Sequence, residues 1–186
     1  MKMIKVGQSS RLSQGDVIRH VDYIEYAIEK DGILEISKIK FPNVIVLSQD
    51  CDLTHDYHSR WARKKYKNQD KYLLSVLVAP LYNVDHFFNG EHLSELDIKM
   101  DNELNRNKTP GKNIFQNVNP RYHYVNFPEN VPAVPSIIDF KHYFSVNVKY
   151  LKEHKRNNFV CQIGELYREQ ISARFSAYLA RIGLPD

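Results

Sequence analysis

The run Asn43-Val44-Ile45-Val46-Leu47-Ser48 constrains the fold more than any other part of the chain. It is short, rich in β-branched residues, introduced by Pro42 and followed at once by polar residues, the pattern of a buried strand. A second such run, Leu73-Leu74-Ser75-Val76-Leu77-Val78-Ala79-Pro80, follows after a polar interval. Upstream, Ser13-Gln14-Gly15-Asp16 reads as a turn that opens a strand over residues 17–24. Residues 33–39 read as another strand, with Ile33, Glu35, Ser37 and Ile39 on one side and Leu34, Ile36 and Lys38 on the other.

Between the two buried runs, Asp52 is placed to cap a helix running through Trp61 towards Tyr66. Residues 86–104 show helical spacing at Phe88, His92, Leu93 and Leu96, interrupted by Gly90, and residues 102–119 read as a polar surface loop. Short β-like pieces follow at 121–127, 136–140 and 143–148, separated by Pro128, Pro132 and Pro135. The chain closes on a helix over 163–182: Ile163, Leu166, Tyr167, Ile171, Phe175, Tyr178, Leu179 and Ile182 recur at spacings of three and four, until Gly183 and Pro185 stop it. These elements predict one α+β domain over residues 1–186, with a bent antiparallel core at about 13–83, a helical insertion at about 84–120, and C-terminal strands and a helix at 121–186.

The first 83 residues resemble the PemK/MazF family of toxin endoribonucleases. Gly15-Asp16-Val17-Ile18 matches its opening strand, Phe41-Pro42-Asn43-Val44-Ile45-Val46-Leu47-Ser48 its X-Pro-hydrophobic strand, and Val76-Leu77-Val78-Ala79-Pro80-Leu81 its Val-x-Val-Ala strand. The resemblance implies an SH3-like barrel. The family places a functional arginine where this chain has Phe41, and a Thr or Ser where it has Leu81 followed by Tyr82. It therefore implies a nucleic-acid-associated architecture, in a toxin or phage-defence setting, without the electrostatic part of the cleavage mechanism. Leu47-Ser48-Gln49-Asp50-Cys51-Asp52-Leu53 also resembles uncharacterised bacterial proteins with a Ser-Gln-x-Cys-Asp signature.

That segment carries three readings. Cys51 can serve as a nucleophile with His55 or His58 as base, although adjacent aspartates raise a thiol pKa, and Asp52 or Asp56 can orient or complete a set of ligands built on the same face. Cys51, His55 and His58 share a helix face and supply three zinc-compatible ligands, so zinc is the one cofactor the residues suggest. The third reading is architectural: Cys51 a small buried hydrophobe, Asp50 or Asp52 a cap, the histidines exposed.

Nucleic acid is suggested independently by Arg60-Trp61-Ala62-Arg63-Lys64-Lys65-Tyr66-Lys67, five cations among two aromatics. Arg60, Arg63, Lys64, Lys65 and Tyr66 suit phosphate contact and base stacking. Arg121 and His123 alternate with Tyr122 and Tyr124, a second pairing of cationic and aromatic types, and His142 and Tyr143 after Asp139 form a third polar-aromatic patch. The alternative is a protein partner encoded in the same operon, docked on an aromatic surface. With two cysteines, no apolar N-terminal stretch and no run approaching the ~20 apolar residues of a membrane span, the expected setting is cytoplasmic with no membrane contact. No glycine-rich phosphate loop, nucleophile elbow or His-Glu-x-x-His helix is present.

Overall fold

The computed structural model describes residues 3–61, 69–100 and 104–181. The strands are β1 (Ile4–Lys5), β2 (Asp16–Lys30), β3 (Ile33–Val46), β4 (Ser75–Asn83), β5 (Tyr122–Val125), β6 (Ser136–Asp139), β7 (Phe144–Asn147) and β8 (Phe159–Ile163). The helices are α1 (Asp50–Trp61), α2 (Val84–Phe88), α3 (Gly111–Phe115), α4 (Val148–Asn158) and α5 (Glu165–Leu179), with single 3-10 turns at Ser94–Leu96 and Phe140–His142. Every strand pair is antiparallel, in the order β1-β8-β2-β3-β4-β6-β5, and β7 also pairs with β4. The sheet curls into a half-barrel, so the α+β class and the bent antiparallel core expected from the sequence are both present.

The curl is centred on β4. One of its edges pairs with β3 through Val78, Ala79 and Pro80, while the other is shared between β7 (Ser75 to Val78) and β6 (Leu81 to Asn83). The Leu77 carbonyl accepts from Leu47 on the β3 side. By the two-residue period, Pro80 therefore turns towards the shared edge, where β7 has ended and β6 has not begun. Its missing N–H costs nothing in that gap.

The lack of alternation in the 43–48 run follows from burial on both sides of β3. Ile45 and Leu47 face Val17, Ala79 and Ile138, with Ile171 and Phe175 of α5 closing that core. Val44 and Val46 face Ile18, Val21 and Val78 on the opposite side, covered by Leu53 of α1 and Leu151 of α4. A third apolar cluster, built on Tyr82, Phe87, Phe88, Leu93, Ile114 and Ile137, holds the insertion after β4.

Several expectations are corrected. The 86–104 helix reduces to α2 and one 3-10 turn, because Gly90 takes φ +75° and the chain folds back so that Met100 N–H reaches the Gly90 carbonyl. The 102–119 loop contains α3. The C-terminal helix begins at Glu165, since Ile163 completes β8 beside Gly15 and Ile4. Leu166 and Leu179, assigned to its apolar stripe, are exposed. The stretch 149–162, unassigned from sequence, supplies α4 and β8.

The β2–β3 hairpin is much longer than the sheet that supports it. β8 pairs with β2 only at Asp16 to Ile18, and β4 pairs with β3 only at Val44 to Val46. Beyond Ile24 and before Lys38 the two strands pair only with each other, closed by Asp31 and Gly32 with φ values of 53° and 76°, a two-residue primed turn.

Candidate functional site

The Ser48 to Asp52 segment forms half of a polar network that is joined throughout except at Arg168 Nε, which is buried without a partner. Asp50, at the start of α1, takes both Arg11 guanidinium nitrogens at 3.0 and 2.9 Å and accepts the Gln14 N–H at 3.1 Å. Arg168 of α5 approaches the same carboxylate at 3.5 Å. Burial works to raise the Asp50 pKa, but Arg11, Arg168 and the Gln14 N–H together outweigh it and hold it below the usual range. Ser48 Oγ accepts the Leu77 N–H at 2.8 Å, and Gln14 Nε2 donates to the Leu47 carbonyl at 3.0 Å. Deeper in, Lys155 of α4 is 2 % exposed and donates to Asp16 at 2.7 Å and to the Arg11 carbonyl at 2.6 Å. The turn at 13–16 and the motif at 48–52 are thus one construction, joining the start of β2 to α1, α4 and α5.

Within that motif the thiol is not where the architectural reading put it. Cys51 is exposed on the outer face of α1, because Leu53, Asp56 and Ser59 take the inward positions of a helix whose register is set by Asp50. Its Sγ lies near Gln49 Oε1 (3.6 Å) and Asp52 Oδ1 (3.8 Å). Asp52, His55 and His58 are exposed on the same helix, and among the described residues no group of three His, Cys, Asp or Glu side chains is placed to hold a metal ion. The buried thiol is Cys161 of β8, which burial pushes up to about 12.

The cationic residues are also engaged. Arg60 lies on Asp56 at 2.7 Å, donates to the Leu73 carbonyl and stacks its guanidinium 4.0 Å over Tyr72. Arg63, Lys64, Lys65 and Tyr66 lie outside the described residues. Arg121 forms a two-pronged pair with Asp139, whose side chain is fully buried. His123 is buried with its Nδ1 unpartnered, and burial, then Arg174, pushes its pKa down to about 4. None of the five principal clefts among the described residues is lined by the 48–58 segment, by Arg121 or by His123.

The most open chemistry lies elsewhere, in a cleft between the root of the hairpin and the loop after α2. Two lobes of about 250 and 370 Å³ share Ile39, Phe41, Tyr82, Leu93 and Leu96 as walls. Tyr23, Phe144 and His142 line the first lobe; Asn43, Asn83 and His92 line the second. β3 and β4 supply Phe41 and Tyr82, whose ring centroids stand 6.4 Å apart near edge-on. The Tyr82 hydroxyl meets His142 Nδ1 at 3.0 Å, and Asp139, pinned by Arg121, lies 3.6 Å from the same nitrogen.

The imidazoles of His92 and His142 and the phenol of Tyr82 are neutral at physiological pH, with Lys141, Glu91 and Glu95 also among the lining residues. Burial, reinforced by His142, pushes His92 down to about 4. Burial also lowers His142, against the opposing pull of Asp139, and burial raises Tyr82 above the ordinary phenol range. Such groups are poorly matched to acid–base catalysis near pH 7 but well matched to hydrogen bonding a neutral polar ring. The polar satisfaction is incomplete. Both ring nitrogens of His92 and Oδ1 of Asn43 are shielded from solvent without a partner. Buried polar atoms are almost always paired, so three orphans beside one cleft are unusual.

His142 belonged to a patch visible in the sequence, but Tyr82, His92 and Asn43 carried no signal: they sit 10 to 49 residues apart and meet because β3 and β4 pair and the loop after α2 folds back on them. No known protein family, characterised protein or solved structure matches the chain.

Proposed function

We propose that the protein binds single-stranded nucleic acid and holds an unstacked base in the Phe41–Tyr82 cleft. The observation that carries this reading is the pairing of aromatic walls with the unpartnered His92 nitrogens and Asn43 Oδ1. A base offers a flat apolar face for the rings and an edge of donors and acceptors for the orphaned atoms. Neutral imidazoles suit a neutral base edge better than a phosphate. Lys141 at the rim and the formal charge of +4 favour an anionic backbone outside the cleft. The sequence run Arg63-Lys64-Lys65 belongs to the same reading as a source of phosphate contacts.

The PemK/MazF-like barrel enters here as part of the proposal. Phe41 stands at that family's arginine position and Tyr82 one residue beyond its hydroxyl position, and both line the cleft. With apolar and aromatic side chains in those places, the function is binding rather than cleavage.

The test is fluorescence anisotropy with labelled single-stranded RNA and DNA. Phe41→Ala should weaken binding by about 5- to 150-fold, the span of one stacking contact. Replacing Arg63, Lys64 and Lys65 with Ala should flatten the salt dependence by about 0.7 per lost phosphate contact. Unchanged affinity in folded Phe41→Ala protein would refute the base-binding cleft.

A further inference from the structure

The projecting hairpin has an apolar surface that the body never covers. Ile24, Tyr26, Ile28, Ile33, Leu34 and Ile36 are all about half exposed or more, with Ile33 at 71 % and Leu34 at 62 %. Exposed strands with such side chains are aggregation hazards, which natural sequences usually blunt. From Ile24 to the turn the arm reaches on the order of 25 Å.

Register sorts these side chains onto two faces. Ile24 opposes Lys38, Ala27 opposes Ile36 and Glu29 opposes Leu34, and these pairs share one face. Tyr26 opposite Ser37, Ile28 opposite Glu35, and Lys30 opposite Ile33 share the other. The bulge between Ile24 and Tyr26 keeps both strands in this phase. The second face runs through Tyr23 and Ile39 into the Phe41–Tyr82 cleft, whereas the first face ends in a recess of its own. A groove of about 590 Å³ at its root is walled by Ile24, Ile36, Val146 and Tyr150, with Asp22 and Lys38 beside them.

We propose that two copies of the chain associate through this face, the arms lying antiparallel and each Leu34 entering the groove at the root of the other arm. The knob and the hole lie on the same surface of one molecule, at opposite ends of one arm, which is the requirement for a closed two-fold contact. Ile24, Leu34, Ile36 and Tyr150 together leave on the order of 400 Å² of apolar surface in water. That is about the apolar share of the ~800 Å² each partner contributes to a standard interface.

Charge points the same way. Residues 24–38 carry four carboxylates and two lysines, a net −2, in a chain whose formal charge is +4, so the rest of the molecule stands at +6. An acidic arm is repelled by a phosphate backbone, and against a second arm of the same net charge it is the order of charges along the docking face that matters. On the docking face Glu29 lies near the tip and Lys38 near the root. Antiparallel stacking brings each Glu29 to the partner copy's Lys38.

The experiment is light scattering and sedimentation equilibrium of the full chain over a concentration series. Wild-type protein should show a monomer–dimer equilibrium. Leu34→Glu should raise the dimer dissociation constant by about 30-fold or more, the size of a hot-spot loss, and Leu34→Ala should act in the same direction. Ile33→Glu, on the opposite face beside the same turn, should leave the dimer intact. Glu29→Lys should weaken it, and Glu29→Lys combined with Lys38→Glu should restore it. A wild-type chain that stays monomeric across the series would overturn the proposal. So would equal losses from Leu34→Glu and Ile33→Glu, which would show unspecific apolar adhesion, or a dimer indifferent to both.

Discussion

Two polar clusters sit at the ends of buried strands in this protein, and they are finished in opposite ways. Around Asp16, Asp50 and Lys155 the charges are joined: Lys155 to Asp16, Arg11 to Asp50, Gln14 to Asp50 and to the Leu47 carbonyl. Around Tyr82, His92 and Asn43 the aromatic walls are complete, but three buried polar atoms have no partner. The first pattern is what a fold does with polar groups it must bury; the second is unusual in a finished fold, and the proposed base-binding cleft is built on it. Chemical variety in the sequence pointed to the first cluster. Incompleteness in three dimensions points to the second.

The severest way to break this comparison is to open the closed cluster. Lys155→Met should remove about 3–5 kcal/mol of stability, because it leaves the Asp16 carboxylate buried without its cation. Urea denaturation measures the loss, and a cost below about 1 kcal/mol would show that the network is not closed.

Acid should act through the orphaned histidines. In the folded protein His123 takes a proton only near pH 4, whereas an unfolded imidazole takes one near 6.5. The unfolded chain therefore binds more protons across that interval. The stability from burying neutral His123 is intact above about pH 6.5 and is lost as the pH falls towards 4, by about 2 kcal/mol at pH 5. Comparing wild type with His123→Phe at pH 7 and pH 5 isolates this slope, which the variant should lack.

Altering the open cluster should have the reverse signature. His92→Phe keeps a ring against Tyr82 and Phe87 and deletes two unpartnered nitrogens. Stability should stay within about 1 kcal/mol of wild type or exceed it, while oligonucleotide binding weakens. A large destabilisation would mean that His92 belongs to the architecture after all. The smallest effect is expected at the residue that stands out most in the sequence. Cys51→Ala should change stability by less than about 0.5 kcal/mol, since the side chain is exposed and its neighbours are solvated.

Legibility varied with the range of the interactions. The strand segments at 17–24, 33–39, 43–48 and 73–80 could be read because β-branched runs and turn residues are local signals, whereas the outer half of β2 and the continuity of β3 through Pro42 could not. Nor could α4. Its inward face is Val148, Leu151 and Lys155, and a lysine at a core position breaks the apolar period that would reveal a helix. Only the nearby Asp16 makes that lysine a core residue. The Ser48 to Asp52 motif was legible as a cluster, but its meaning was not, because its counter-ions Arg11 and Arg168 lie 39 residues before and 118 residues after Asp50.

By itself, then, the sequence determined the class of fold, the buried strands, the existence of a closing helix and the absence of an apolar run long enough to span a membrane. Each depends on periodicity within a few residues, which backbone geometry enforces wherever the segment lies. The tertiary structure decided which polar residues are satisfied. Asp50 and Lys155 became scaffold, Cys51 was turned to solvent by the helix register, and Tyr82, His92 and Asn43 were gathered around one cleft. Satisfaction is a property of pairs brought together by strand pairing and helix packing, and no single segment contains both members of those pairs.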